Sequence, residues 1–176
     1  MHNKMMKKLY GVSLLTLSLL AVHAARGESY VFAPVSASAS TSYTDPAWGL
    51  PVSMINGSGL TGEGYTATHT NASEQNLFWH SDGTTVSGQW VEFDLGAAYD
   101  LKNALIWQLA QIGLTTRGVK VFTISVAGGD HLFSTLSTTN LNIATGSANE
   151  PVQVRPLVAG DIRYVRFTIQ SNYGDN

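Results

Sequence analysis

The 176-residue sequence contains no cysteine, which excludes disulfides, thiol catalysis and thiolate metal sites. Ten basic residues stand against twelve acidic ones, and three of the ten (Lys4, Lys7 and Lys8) fall in the first 24 residues, so the rest carries seven against twelve, a net charge of −5. No basic block is left there, which argues against nucleic acid and anionic lipid surfaces as partners.

The first segment reads as a leader. The three lysines precede an uncharged, mostly apolar run over residues 9–22, and Val22-His23-Ala24 supplies the small residues of a cleavage site. This predicts a secretory signal peptide over 1–24, a secreted or cell-surface location, and no membrane span in the mature chain. The apolar run is shorter than the roughly 20 residues a bilayer requires. Residues 25–34 then read as a linker, and 35–176 as one domain, large enough for its own core.

Strand patterns dominate that domain. Residues 35–42, "VSASASTS", alternate small residues with serine, as a half-exposed strand or a low-complexity linker would. A short helical turn is predicted at 51–55, with Pro51 at its start. Residues 57–76 are the longest stretch without a strand pattern, and loops of that length are functional or mobile. Residues 90–95 alternate, with Val91, Phe93 and Leu95 on one face and Trp90, Glu92 and Asp94 on the other. Residues 101–109, "LKNALIWQL", are apolar on both faces, as in a strand buried within a sandwich. Residues 119–127 put Phe122, Ile124 and Val126 on one face. Residues 163–171 put Val165, Phe167 and Ile169 against Tyr164, Arg166 and Thr168. Turn residues such as Asn56-Gly57, Asp82-Gly83 and Gly160-Asp161 separate these runs, without βαβ alternation. The fold class predicted is all-β, an antiparallel sandwich.

Five landmarks in one order then resemble a known family: "MINGSG" (54–59), "FWHSD" (78–82), "QWVEFDLG" (89–96), "RGVKVFTISVAGG" (117–129) and "RYVRFTIQSNYGD" (163–175). Their order resembles the coagulation factor V/VIII type C domain, also called discoidin-like or galactose-binding-like, over residues 35–176. The resemblance implies a jelly-roll sandwich. For bacterial members it implies carbohydrate-binding modules of secreted proteins, while others bind phospholipid headgroups or protein. Three departures stand out. Asn56-Gly57 replaces the usual Asp-Gly turn, the segment after it is long, and the family's closing strand with its glutamate would lie beyond Asn176. The sequence is therefore expected to be a fragment, less stable and more prone to associate than a longer parent.

His80, Ser81 and Asp82 suggest a hydrolase, but in an extended strand His80 and Asp82 face away from Ser81, and no Gly-x-Ser-x-Gly elbow occurs. Catalytic residues are therefore assigned to none, and the chain is read as not an enzyme. Trp79 and Trp90 read as core or sandwich-end residues, and Asp94 as a brace for the turn at Gly96. Trp107, in mid-strand, reads as core. His69, His80 and His131 lack zinc spacing. Structural calcium is the cofactor weighed: the resemblance implies a calcium site at this turn, with Met54, Asn56 and Ser58 as metal ligands, against a plain Asn-Gly turn. Glycan or cell-surface polysaccharide is the expected partner, since a sugar takes an aromatic platform and fork-like donors. The ligand-binding candidates at loop ends are Trp48, Tyr65, His69, His80, Arg117, Asn172 and Tyr173. The alternatives are an adhesion or structural domain for protein or lipid, and a hydrolase or lyase using a loop histidine.

Overall fold

The computed structural model describes residues 13–22, 29–43, 49–73, 77–82 and 85–174. Its strands run in chain order β1 (Ser13–Val22), β2 (Ser29–Phe32), β3 (Ser36–Ala39), β4 (Leu60–Thr61), β5 (Thr68–His69), β6 (Phe78–His80), β7 (Trp90–Gln108), β8 (Val119–Ala127), β9 (Ser134–Asn140), β10 (Glu150–Pro151) and β11 (Gln153–Asn172). Every described pairing is antiparallel. No described helix is long and apolar enough to cross a membrane.

β7 and β11 are long because each serves two layers. Residues 90–95 of β7 and 164–172 of β11 form one layer with β3, β8 and β9. Residues 100–108 of β7 and 153–159 of β11 form the other with β1 and β2. The register of β11 against β7 slips between Pro156 and Tyr164, as it does where a strand bends round a corner. Between the layers lie Leu101, Ala104 and Ile106, together with Val91, Phe93, Phe122, Ile124, Val165, Phe167 and Ile169 from the faces that the period-two pattern marked as apolar. The fold is thus the sandwich expected. The turn after Leu50 is a 3₁₀ helix, Pro51–Met54, whose Met54 drops into this core.

From Ala104 to Leu109 both faces are buried, as the pattern implied, while Lys102 is exposed and Asn103 half-buried. Ala104 and Ile106 face the main core, while Leu105, Trp107 and Leu109 face a second cluster with Ala67, Leu77 and Phe78. That cluster corrects the reading of residues 57–76 as a segment without strands. β4, β5 and β10 form a small sheet there, and Trp107 donates its Nε1–H to the carbonyl of Ala67 at 2.9 Å. The segment is a packed cover for the outer face of the second layer; its residues 74–76 lie outside the described ones.

Two further placements concern the ends of expected segments. Ser13–Val22, inside the stretch read as a leader, pairs with β2, β6 and β7. Ser29–Phe32 is a strand within the stretch read as a linker, and residues 1–12 and 23–28 lie outside the described ones.

Asp94 does brace its turn: its Oδ1 accepts the Gly96 N–H at 2.8 Å. Arg163 adds two hydrogen bonds of 3.1 Å, and these hold the carboxyl below the usual carboxylate range. Asp94→Ala is expected to lower stability modestly near neutral pH, chiefly through the lost Gly96 hydrogen bond of about 0.5–1 kcal/mol, since the Arg163 pair is screened by solvent. A carboxyl with a depressed folded pKa stabilises above its unfolded pKa and loses that contribution as pH falls through the folded value. The difference between variant and wild type in urea titrations should therefore shrink below about pH 4.

Trp90 departs from expectation. It lies on the outer face of the first layer, partly exposed, with the Arg166 guanidinium 4.8 Å from its ring centroid. Trp79 is the core residue of the pair, with Nε1–H donated to the Thr41 carbonyl at 3.0 Å.

Candidate ligand site at the end of the sandwich

The site begins where β6 stops. His80 is 8 % exposed and sits edge-on to Phe78, with ring centroids 4.8 Å apart. Its N–H donates to the Gly49 carbonyl at 3.3 Å, and its own carbonyl accepts the Tyr43 N–H at 2.9 Å. Gly49, at φ +70°, must be glycine, because a Cβ there would overlap the Phe78 carbonyl. Burial, with the Arg117 charge second, pushes the His80 pKa down to about 4. The ring is therefore neutral at ordinary pH, with one donor and one acceptor nitrogen.

Arg117 closes a 3₁₀ turn, Thr115–Arg117, its N–H bonded to the Leu114 carbonyl at 2.9 Å. The turn is held by Gln108, which is fully buried. Its Nε2 donates to the Val119 carbonyl at 2.5 Å, and its Oε1 accepts the Val119 N–H at 3.1 Å. The end of β11 comes alongside: Asn172 pairs with Val119, and the Tyr173 N–H donates to the Gly118 carbonyl at 3.1 Å. Tyr173 is fixed by its hydroxyl, which donates to the Leu141 carbonyl at 2.5 Å, and the Lys120 ammonium lies 5.6 Å from its ring centroid. The Asn172 Oδ1 is shielded from solvent and accepts no hydrogen bond. Such a group is costly unless a partner arrives.

Four of the expected residues thus meet at one end of the sandwich: His80, Arg117, Asn172 and Tyr173. The other three do not join them. Trp48 lies outside the described residues. Tyr65 is exposed but accepts a hydrogen bond from Asn103, roughly 17 Å along β7 from Gln108 at 3.4 Å per residue. His69 is 1 % exposed beneath the cover segment, so it cannot meet a ligand at the surface. Its ring nitrogens face the carbonyls of Thr70 (2.8 Å) and Ser58 (3.2 Å). Burial lowers its pKa against the opposing pull of these carbonyls and Glu150.

The calcium reading fares poorly on the same geometry. The Asn56 side chain is neutral, and its Oδ1 accepts the Ser58 N–H at 2.9 Å. The Ser58 carbonyl faces His69. Two of the oxygens proposed for an ion are already engaged, and no carboxylate comes from the turn itself. Met54, Asn56 and Ser58 do not fit a calcium site as arranged. Among the described residues no group of three acidic, histidine or cysteine side chains is placed to hold a metal.

Sequence reasoning missed Gln108, which holds the start of β8 two residues beyond Arg117. A glutamine inside an otherwise apolar strand was its visible sign, since a buried amide demands partners. It also missed the outer-face network. There Arg166 donates to Glu92 at 2.6 and 3.0 Å, and Glu92 meets His131 at 2.7 Å.

No curated protein matches the chain. Among solved structures it is similar to the Clostridium perfringens module CpGH89CBM32-5 in complex with GalNAc-beta-1,3-galactose, with a TM-score of 0.56 and 17 % identity over 79 % of this chain and 86 % of that one. It is also similar to the CBM32 of AlyQ in complex with 4,5-unsaturated mannuronic acid, with a TM-score of 0.48 and 18 % identity over 80 % and 85 % of the two chains. At 17 % identity the first of these likenesses speaks for the fold alone. The model of the F5/8 type C domain matches residues 36–176, most of the sequence and every strand from β3 to β11, and the chain belongs to that family.

Proposed function

We propose that this chain is an exported, non-catalytic module that binds carbohydrate at the end of the sandwich formed by His80, Arg117, Asn172 and Tyr173. The observation that carries the reading is the convergence of a neutral imidazole and a guanidinium, with an amide and a ring beside them. Sugar hydroxyls both donate and accept, and these groups do the same. Arg117 offers only donors, and a neutral imidazole carries one donor and one acceptor. The Tyr173 ring supplies the apolar face that a pyranose C–H surface takes. Membership of the F5/8 type C family and the sugar complex of the similar Clostridium perfringens module support the same ligand class. Export rests on the leader pattern of residues 1–24.

The enzyme alternative is weaker on chemical grounds. Glycoside hydrolysis uses a pair of carboxyl groups, and His80, Arg117, Asn172 and Tyr173 supply none. A histidine with pKa about 4 is also a poor general base at neutral pH, far from the matched value.

A glycan array followed by isothermal titration with the full-length protein tests the proposal. Arg117→Ala is expected to weaken binding by about tenfold or more, the effect of losing roughly 1.4 kcal/mol of hydrogen bonding, while the melting temperature holds. Because the His80 pKa is depressed, affinity should be flat between pH 8 and about 5, and fall only as protonation sets in near 4, beside the Arg117 charge. A silent array with clear binding to protein or lipid would favour adhesion. Hydrolysis lost in a folded His80→Ala variant would favour the enzyme.

A further inference from the structure

The His69 ring sits inside a cage of oxygen atoms. β4, β5 and β10 align Leu60, His69 and Glu150 in one row across the small sheet. Nδ1 is 2.8 Å from the Thr70 carbonyl and Nε2 is 3.2 Å from the Ser58 carbonyl. The Leu77 carbonyl also acts on the ring, as does the Glu150 carboxylate. Glu150 is itself buried, its Oε2 held by the N–H and hydroxyl of Thr145 at 2.9 and 2.6 Å. Several carbonyl oxygens and one carboxylate, converging from separate loops, form the donor set of a hard cation. Here a side chain of the same chain fills the centre.

The turn is shaped to that ring. Gly59, at φ +78°, lies so close that a Cβ would come within 2.6 Å of the His69 Nε2. The Gly59 carbonyl accepts the Thr70 N–H at 2.9 Å, which clamps the turn against the strand carrying the histidine. Asn56 meanwhile spends its side-chain oxygen on the turn's own backbone. The turn and the strand beneath it thus meet at the imidazole: in the neutral ring one nitrogen donates to its carbonyl and the other packs against the second, at the place where an ion would sit.

We propose that His69 is a built-in substitute for a structural cation, so that the Asn56-Gly57 turn of this domain is held without calcium. The resemblance implies an ion at this turn; this chain has exchanged the carboxylate of the turn for a neutral asparagine and supplied a ring from a neighbouring strand.

Thermal melts of the full-length protein in calcium and in chelator, with and without His69→Ala, test it. The wild-type melts are expected to coincide within about 1 °C, because a ligand that does not bind cannot stabilise. A clear rise of the wild-type melt in calcium, or heat of calcium binding by titration, overturns the proposal. His69→Ala is expected to melt lower and to regain part of the loss when calcium or free imidazole is added, since the emptied cage keeps its carbonyls and Glu150. A variant that melts like the wild type overturns the proposal, because the turn would then need neither ion nor ring. A loss that neither calcium nor imidazole restores also overturns it, because the ring would then be packing alone. Should His69→Ala fold only in the presence of imidazole or calcium, that is the supporting result in its strongest form.

Discussion

A chain that begins at Ala25 is expected to lose most of the stability of the full-length chain. Ser13–Val22 is hydrogen-bonded along both edges: to residues 100–108 of β7 on one side, and to Ser29–Phe32 and Phe78–His80 on the other. β1 is the one strand with which β2 pairs among the described residues. At roughly 0.5–1.5 kcal/mol net per hydrogen bond, a ladder of this length contributes several kcal/mol. That is a large part of the roughly 5–15 kcal/mol by which a domain is stable. Removing it also leaves residues 100–108 as an open edge, a template for other strands. The result bears on export. A leader cleaved after Ala24 would take β1 with it, so the mature domain must refill that place or expose it. Urea titration and sedimentation of residues 25–176 should show a weakened, associating protein. A synthetic peptide of residues 13–22, added in trans, should reverse both effects by strand addition. If the shortened chain stays monomeric and melts like the full-length one, the pairing of β1 contributes nothing to stability.

The strands that proved legible from sequence are those whose burial is decided locally. In β7 the alternation of Val91, Phe93 and Leu95 with polar neighbours needs only the pleat, and all three are buried. The brace at Asp94 was legible for the same reason, since its partner is two residues away. Residues 57–73 were not. β4 and β5 are two residues long and carry no period, and His69 is buried because Glu150, far along the chain, pairs across from it. A histidine in a polar stretch reads as exposed until that pairing is known. Trp90 shows the converse. Its neighbours assign it to a face, but its company, Arg166 from β11, depends on strand order. The site itself was half legible. His80 was flagged because a strand gives way there to loop, and Arg117, Asn172 and Tyr173 because they lie at strand ends. Their meeting depends on Val119 lying between Gln108 and Asn172, a non-local fact.

Trp107 is where that non-local cover can be tested most sharply. The residue is buried, and Leu105, Leu109, Phe78 and Ala67 surround it in the second cluster. Trp107→Ala removes a large apolar surface and leaves a cavity between β7 and the cover segment, at an expected cost of about 3–5 kcal/mol. The hydrogen bond to Ala67 makes a second variant informative. Trp107→Phe keeps most of the ring but leaves the Ala67 carbonyl buried without its donor, at an expected cost of about 1–3 kcal/mol. The two losses should differ in character as well as size. In the alanine variant the cover should detach, so residues 57–73 become open to protease while the first layer stays protected, because the main core contains no atom of Trp107. In the phenylalanine variant cleavage should stay slow. Denaturant titration with limited proteolysis reads both. A Trp107→Ala variant that loses under 1 kcal/mol, below the range for core aromatics, would mean that the cover rests on the sheet without being held by it.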